Sequence, residues 1–468
     1  MFKRIIACML LFSMGLLVCA CGGVEKPDTS SKKDESSSNP DSVPSNPDED
    51  TVDATLTLKV KKGEVKKFKS DRPYDSSKED ISLILVVGQS NFTSSVGYSP
   101  EYSGFTQGKT NVMPDSPTRP VKGTVFSSVP QGSISVLNDS TDAYTLTDTT
   151  RSNYSLGGVT PSFGRTWHDI TGTKVVFVQA AVGAVGVHEW TPDPQNYVCE
   201  CPHNGKGQLY STAVNKYKAS YEALSQNYNI VYTGYIWNQG EHDEYYGKPD
   251  KPNTVNSDLA YYVAYKSMHD GFMNELNLDF GGISVVRSHY NGPTAQGSMS
   301  LTIARSAQYK LCNDIDNLYM ISTISETCDS SMMDQSNTIH YSQRTFNLMG
   351  SDCAVNLASY LGIIETPDFS GVELYSSTGN KLIAFDENSS FAAIGDATDI
   401  ISRSSLTNHV LCKLSTLGTG YTLSGFTLMV GDKDMTEHID EFGAIDWTSI
   451  TKQNSAPVKT VQVKCVVE

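Results

Sequence analysis

The chain has 468 residues, 38% of them apolar and 24 of them tyrosine, which is enough for a sizeable core and for more than one domain. Its formal net charge of −16 argues against nucleic acid as a partner and against anionic lipid held through basic patches. Of ten cysteines, Cys8, Cys19 and Cys21 fall in the N-terminal apolar region; the other seven are an odd number, so outside the cytosol at least one stays unpaired. The run "CECPH" (Cys199–His203) has two cysteines and a histidine but no second ligand pair at zinc-like spacing. It reads as a loop with a free or disulfide-bonded cysteine rather than as a metal site.

In chain order, Lys3 and Arg4 precede an apolar stretch of about fourteen residues, Ile5 to Val18, which is too short to span a membrane as a mature helix. It ends in "LLVCACGG", with the small Ala20 directly before Cys21. This resembles the lipobox of bacterial lipoproteins. The resemblance implies cleavage before Cys21, lipid on its thiol, and a membrane-anchored protein in the cell envelope, outside the cytoplasm. Residues 22–52 hold almost no apolar side chain and cannot offset the entropy of ordering, so they read as a flexible tether. The stretch 53–79 contains "ATLTLKVKKGEVKKFK", a strand segment that either joins the C-terminal region or flanks the main sheet.

From Ile81 to about Gly362, strands alternate with helical segments. Ile81–Val87 is a nearly unbroken apolar strand, and Thr173–Gly183 a buried strand that runs into a glycine turn. Asn229–Trp237, Gly281–His289 and Leu318–Ile324 read as further strands. Between them, Leu209, Val214, Tyr217, Tyr221 and Leu224 recur at helical spacing, and Ser257 and Asp258 are caps for the next helix. Two more helices follow, in "SLTIARSAQYKLC" and "SQRTFNLMGSDCAVNLASYL". Such alternation predicts an α/β fold, a parallel sheet with helices on both faces. The region between Thr93 and Tyr154 reads as large loops that shape a pocket. Residues 366–468 are short, alternating and turn-punctuated, which predicts a smaller β-rich accessory domain.

Ligand sites in open parallel sheets form beyond the carboxyl ends of the strands. The first strand ends on Gly88-Gln89-Ser90-Asn91, where glycine permits a tight turn and the serine hydroxyl is delivered to the sheet's open edge. The next strand is followed by "AVGAVGVHEW", with Gly183 and Gly186. The strand ending at Trp237 is followed by "NQGEHD", with Gln239, Glu241, His242 and Asp243. Asp334, Asn337 and His340 precede the last helix.

These segments, with "IHYSQRTFNLMG" and "RSAQ", resemble in order the SGNH (GDSL-type) hydrolases, in their sialate O-acetylesterase-like, carbohydrate acetylesterase branch. The likeness covers residues 80 to about 362 and implies one domain, 80–365, of flavodoxin-like (SGNH hydrolase) fold. It implies a serine esterase that removes O-acetyl groups from a carbohydrate, with no cofactor. Ser90 would be the nucleophile and His340 its base. The N–H groups of Ser90 and Gly183 and the Gln239 side chain would hold the oxyanion. Glu241 and Asp243 would act as scaffold that fixes Gln239. Three positions depart from the branch: Phe92 replaces a methionine, Ala184 a glycine, and Asn337 the aspartate three residues before the histidine. An asparagine orients an imidazole but does not stabilise imidazolium by charge. Either Asp334 substitutes, or the enzyme works as a Ser–His pair, or its activity is weak. A non-catalytic glycan-binding lipoprotein on an esterase scaffold is the alternative that Asn337 favours, and an esterase on non-sugar substrates is a further one. His188, His242 and His289 read as structural or substrate contacts. Trp190 and Trp237 read as core or pocket walls, with stacking on a sugar as an option.

Overall fold

The computed structural model describes residues 52–62, 67–93, 124–128, 133–136, 158–192, 207–246, 257–287, 289–291, 298–300, 302–327, 332–333, 340–341, 343–365, 372–376, 381–385, 392–396, 410–413, 421–441, 443 and 445–468. The chain divides into 1–49, which lies outside these residues, and a compact unit over 50–468. Cys21, Asp334, Asn337 and Cys199–His203 therefore lie outside the described residues, as does the tether up to residue 51.

The elements run β1 (Val52–Lys62), β2 (Glu79–Gly88), β3 (Thr124–Ser128), β4 (Ser133–Val136), α1 (Thr160–Thr171), β5 (Lys174–Gln179), α2 (Gln208–Ser225) and β6 (Tyr228–Asn238). They continue through α3 (Glu241–Tyr246), α4 (Asp258–Leu276), β7 (Phe280–Ser284), β8 (His289–Asn291), β9 (Ser298–Ser300), α5 (Thr302–Asp314), β10 (Leu318–Ser322) and α6 (Gln343–Tyr360). Among the described residues the main sheet has the order β10-β7-β6-β2-β5-β3-β4, parallel throughout except for the β3–β4 hairpin at one edge. The strand β2, which leads into Ser90, is thus central. Its side chains alternate with the period of a strand. Leu83, Leu85 and Val87 enter a core shared with α2, α4 and α5, while Ile84 and Val86 enter one shared with α1 and α6. Burying each such side chain contributes about 1.5–3 kcal/mol, which is why this strand reads as continuously apolar. The Gly281–His289 strand ends early, at Ser284. The β3–β4 hairpin corrects the expectation of loops alone between Thr93 and Tyr154, because β3 extends the sheet by pairing with β5.

Arg72 anchors the entry to β2. Its guanidinium grips both carboxylate oxygens of Asp279, at 2.7 and 2.8 Å, and reaches Thr233 and the Asn277 carbonyl. Fork-to-fork geometry of this kind fixes direction as well as distance.

The C-terminal region supplies β11 (Val372–Ser376), β12 (Lys381–Phe385), β13 (Ala392–Asp396), β14 (Val410–Lys413), β15 (Tyr421–Val430), β16 (Lys433–Asp434), a helix α7 (Trp447–Asn454) and β17 (Val458–Val467). β1 lies at the centre of its larger sheet, ordered β13-β17-β1-β15-β16, antiparallel to β15 and parallel to β17. Ala54, Leu56, Leu58 and Val60 of β1 pack with Leu428, Val430, Trp447, Val461 and Val463 into one core. The start and the end of the compact unit are therefore one β assembly, with the parallel-sheet domain inserted between them.

Candidate active site

Ser90 stands where β2 gives way to a 3-10 turn, Ser90–Phe92. Gly88 makes that turn possible. Its φ is +114°, and a Cβ there would lie 2.2 Å from the Asn238 carbonyl oxygen. Gln89 is buried. Its N–H donates to that same carbonyl at 2.9 Å, and its side-chain oxygen accepts from His242 N at 3.3 Å. Phe92 is fully buried beside Phe163 and Tyr341, and the Gln179 amide donates to its carbonyl at 2.6 Å. An apolar side chain is all this position needs. Ser90 itself is half-buried, and its hydroxyl makes no hydrogen bond among the described residues.

The loop after β5 runs beside Ser90. A Cβ on Gly183 would lie 3.7 Å from Ser90 Cβ, so this backbone stands against the Ser90 side chain. Ala184 follows in the left-handed region at φ +58°, a conformation that costs an L-residue about 1–2 kcal/mol.

The structure corrects one expectation here. The Gln239 side chain is completely buried, and both N–H bonds of its amide are engaged, with Val185 O at 3.0 Å and Asp243 Oδ2 at 2.5 Å. It has no donor left for an oxyanion. Instead it ties the loop after β6 to the loop after β5. Asp243 completes the tie by accepting from Val187 N at 2.9 Å. Tyr261 OH and the Gln308 amide hold the Gln239 carbonyl at 2.9 and 2.7 Å, and Gln308 also accepts from Val286 N at 2.9 Å. This gives the "RSAQ" segment a role in joining strand ends.

Buried acids collect under this floor. Burial raises the Asp243 carboxyl to about 7, with the charges of Glu189 and Glu241 adding to the rise and the Gln239 and Val187 donors opposing it. Burial likewise raises Glu189 to about 7, against the Gly186 N–H. His188 is buried with its Nδ1 4.0 Å from Asp243 Oδ1, and a Cβ on Gly186 would lie 2.5 Å from the His188 ring. His188 and His242 are both buried in the floor. Trp190 and Trp237 are fully buried against each other, edge to face at 5.7 Å, so neither presents a ring to a sugar.

His340 is half-buried, and the backbone places it near Ser90. Tyr341 N donates to Asn91 Oδ1 at 3.4 Å, so the residue after His340 bonds the residue after Ser90 across 250 positions of chain. Tyr341 also bridges Met333, whose sulfur accepts from Arg287 at 3.6 Å. Sequence reasoning missed Arg287. Its one signal was a charge directly after an apolar strand. Among the described residues, no group of His, Cys, Asp and Glu is arranged to hold a metal ion.

The family model described as "carbohydrate esterase, sialic acid-specific acetylesterase" matches residues 80–358. A search of curated proteins gave no match. Among solved structures, the chain is similar to a carbohydrate acetylesterase from Xanthomonas citri at 12% identity, with 81% of this chain and 80% of that one covered and a TM-score of 0.41. It is similar to a protein from Arabidopsis thaliana at 16% identity, with 60% and 98% covered and a TM-score of 0.39. A carbohydrate esterase family 2 enzyme with a carbohydrate binding domain, from Corynascus thermopiles (Myceliophthora fergusii), is similar at 13% identity, with 63% and 69% covered and a TM-score of 0.34. The matched segment is more than half of the chain, and the protein belongs to the sialic acid-specific acetylesterase family of carbohydrate esterases.

Proposed function

We propose that this protein is a serine esterase that removes O-acetyl groups from a carbohydrate through an acetyl-enzyme on Ser90. Ser90 Oγ attacks the acetyl carbonyl carbon while His340 takes its proton. The backbone N–H groups of Ser90 and Gly183 receive the oxyanion, each such donor being worth about 3 kcal/mol when preorganised. His340 then returns the proton to the departing sugar hydroxyl. Water, deprotonated by His340, releases acetate and restores Ser90. Asn337 or Asp334 would orient His340. The domain would be of the SGNH type, and the lipobox-like Cys21 supports a lipid-anchored place in the cell envelope, facing acetylated glycans.

The observation that carries this reading is the Tyr341–Asn91 hydrogen bond, which brings the histidine loop to the nucleophile turn at the open end of a central strand. The test is hydrolysis of an activated acetyl ester and of an O-acetylated sialic acid by the purified protein. Turnover that falls about 10⁴-fold or more in Ser90→Ala supports the reading. Wild-type protein that binds acetylated glycans without turning them over refutes it, and establishes the glycan-binding alternative that Asn337 favours.

A further inference from the structure

Asn91 follows the nucleophile and is 1% exposed. The two ends of its amide engage two different loops. Nδ2 donates to Glu241 Oε1 at 2.9 Å, and Oδ1 accepts from Tyr341 N at 3.4 Å. Glu241 only accepts and a main-chain N–H only donates, so the amide has one orientation that satisfies both. Glu241 is itself 6% exposed, and this is the one hydrogen bond of its side chain among the described residues; its Oε2 has none there. A carboxylate so deeply buried holds its single donor firmly, because losing it leaves the charge uncompensated. The acid thereby fixes the Asn91 amide, and the amide fixes the main chain one residue from His340.

We propose that Asn91 is a positioning residue of the esterase, whose amide, anchored on Glu241, sets the His340 main chain over the Ser90 turn. This rests on the esterase reading of Ser90 and His340. The amide fixes the main chain beside His340 and leaves the orientation of the imidazole ring to Asn337 or Asp334. Asn91 acts through its neighbours and touches no reacting atom.

The test is a polarity swap in the full-length protein, assayed on an activated acetyl ester with thermal melts alongside. Asn91→Asp removes the donor and sets a carboxylate against Glu241. The expected result is a kcat about 100-fold lower with KM little changed, the signature of misplaced catalytic groups rather than lost binding. Adding Glu241→Gln restores the pair with donor and acceptor exchanged: the new amide donates to the new carboxylate, whose other oxygen still accepts from Tyr341 N. The double variant should regain kcat to within about tenfold of wild type. Asn91→Asp with nearly wild-type kcat overturns the proposal. So does a folded double variant no better than Asn91→Asp, and so does loss of folding in both, which leaves the pair a purely structural role. Ser90→Ala separates this from the esterase reading. Wild type without turnover refutes the esterase, whereas turnover that needs Ser90 and ignores Asn91 refutes only the positioning role.

Discussion

Asp243→Asn tests whether the buried acid floor strains the folded protein at neutral pH. Asp243 is 3% exposed and accepts from Val187 N and the Gln239 amide through one oxygen. An asparagine oxygen can keep both bonds. The carboxyl rises from an ordinary value of 3.8 to about 7, chiefly through desolvation. A folded-state pKa above the unfolded one means that the native protein holds a proton the unfolded chain has released, so the stability contributed by this group is fullest below 3.8 and declines as pH rises towards 7. From pH 5 to pH 7 the slope halves as the folded-state midpoint is reached, so the interval amounts to about 1.7 units at about 1.36 kcal/mol each, or roughly 2.3 kcal/mol. The neighbouring Glu189, also raised to about 7, adds a decline of the same sign that the substitution does not remove. Urea unfolding at pH 5 and pH 7 reads the difference. Wild type should lose more stability over this interval than Asp243→Asn, by roughly 2–3 kcal/mol. Parallel losses in the two proteins would show that Asp243 is no proton reservoir, and the desolvation argument would fail.

Two backbone predictions concern the turns that frame Ser90. Ala184, at φ +58°, should accept glycine with a change in stability within about 1 kcal/mol, because relieved strain offsets added chain entropy. Ala184→Val, with a branched Cβ in the left-handed region, should lose about 2 kcal/mol or more by thermal melting; equal melts for the two variants would refute the assigned strain. Gly88→Ala combines φ +114° with a 2.2 Å clash against the Asn238 carbonyl, and should lose at least about 3 kcal/mol or fail to fold, as read by circular dichroism and melting.

Much of the architecture was legible in the chain because its signals are local. Unbroken apolar runs such as Ile81–Val87 mark strands buried on both faces, and the 3.6-residue spacing from Leu209 to Leu224 marks a helix that covers one face. The abrupt change of polarity after each strand marked Ser90, Gly183 and Gln239 as strand-end residues, and the structure brings the loops that bear them together. Tertiary structure alone decided where their side chains point. Gln239 lies at the expected strand end, yet its amide turns inward because Asp243 and the Val185 carbonyl meet it there. The strand β1 looks the same whether it flanks one sheet or another, and only pairing with β15 and β17, far along the chain, placed it in the C-terminal assembly. Asn91 stood inside the Gly88–Asn91 segment with no readable task, because its partners Glu241 and Tyr341 lie 150 and 250 residues further along the chain. Periodicity and turn residues act over a few positions and are written in order. A hydrogen-bond partner is chosen by the folded backbone, so the sequence determined which residues reach the open edge of the sheet, and the tertiary structure decided which of them hold one another and which stay uncovered at that edge.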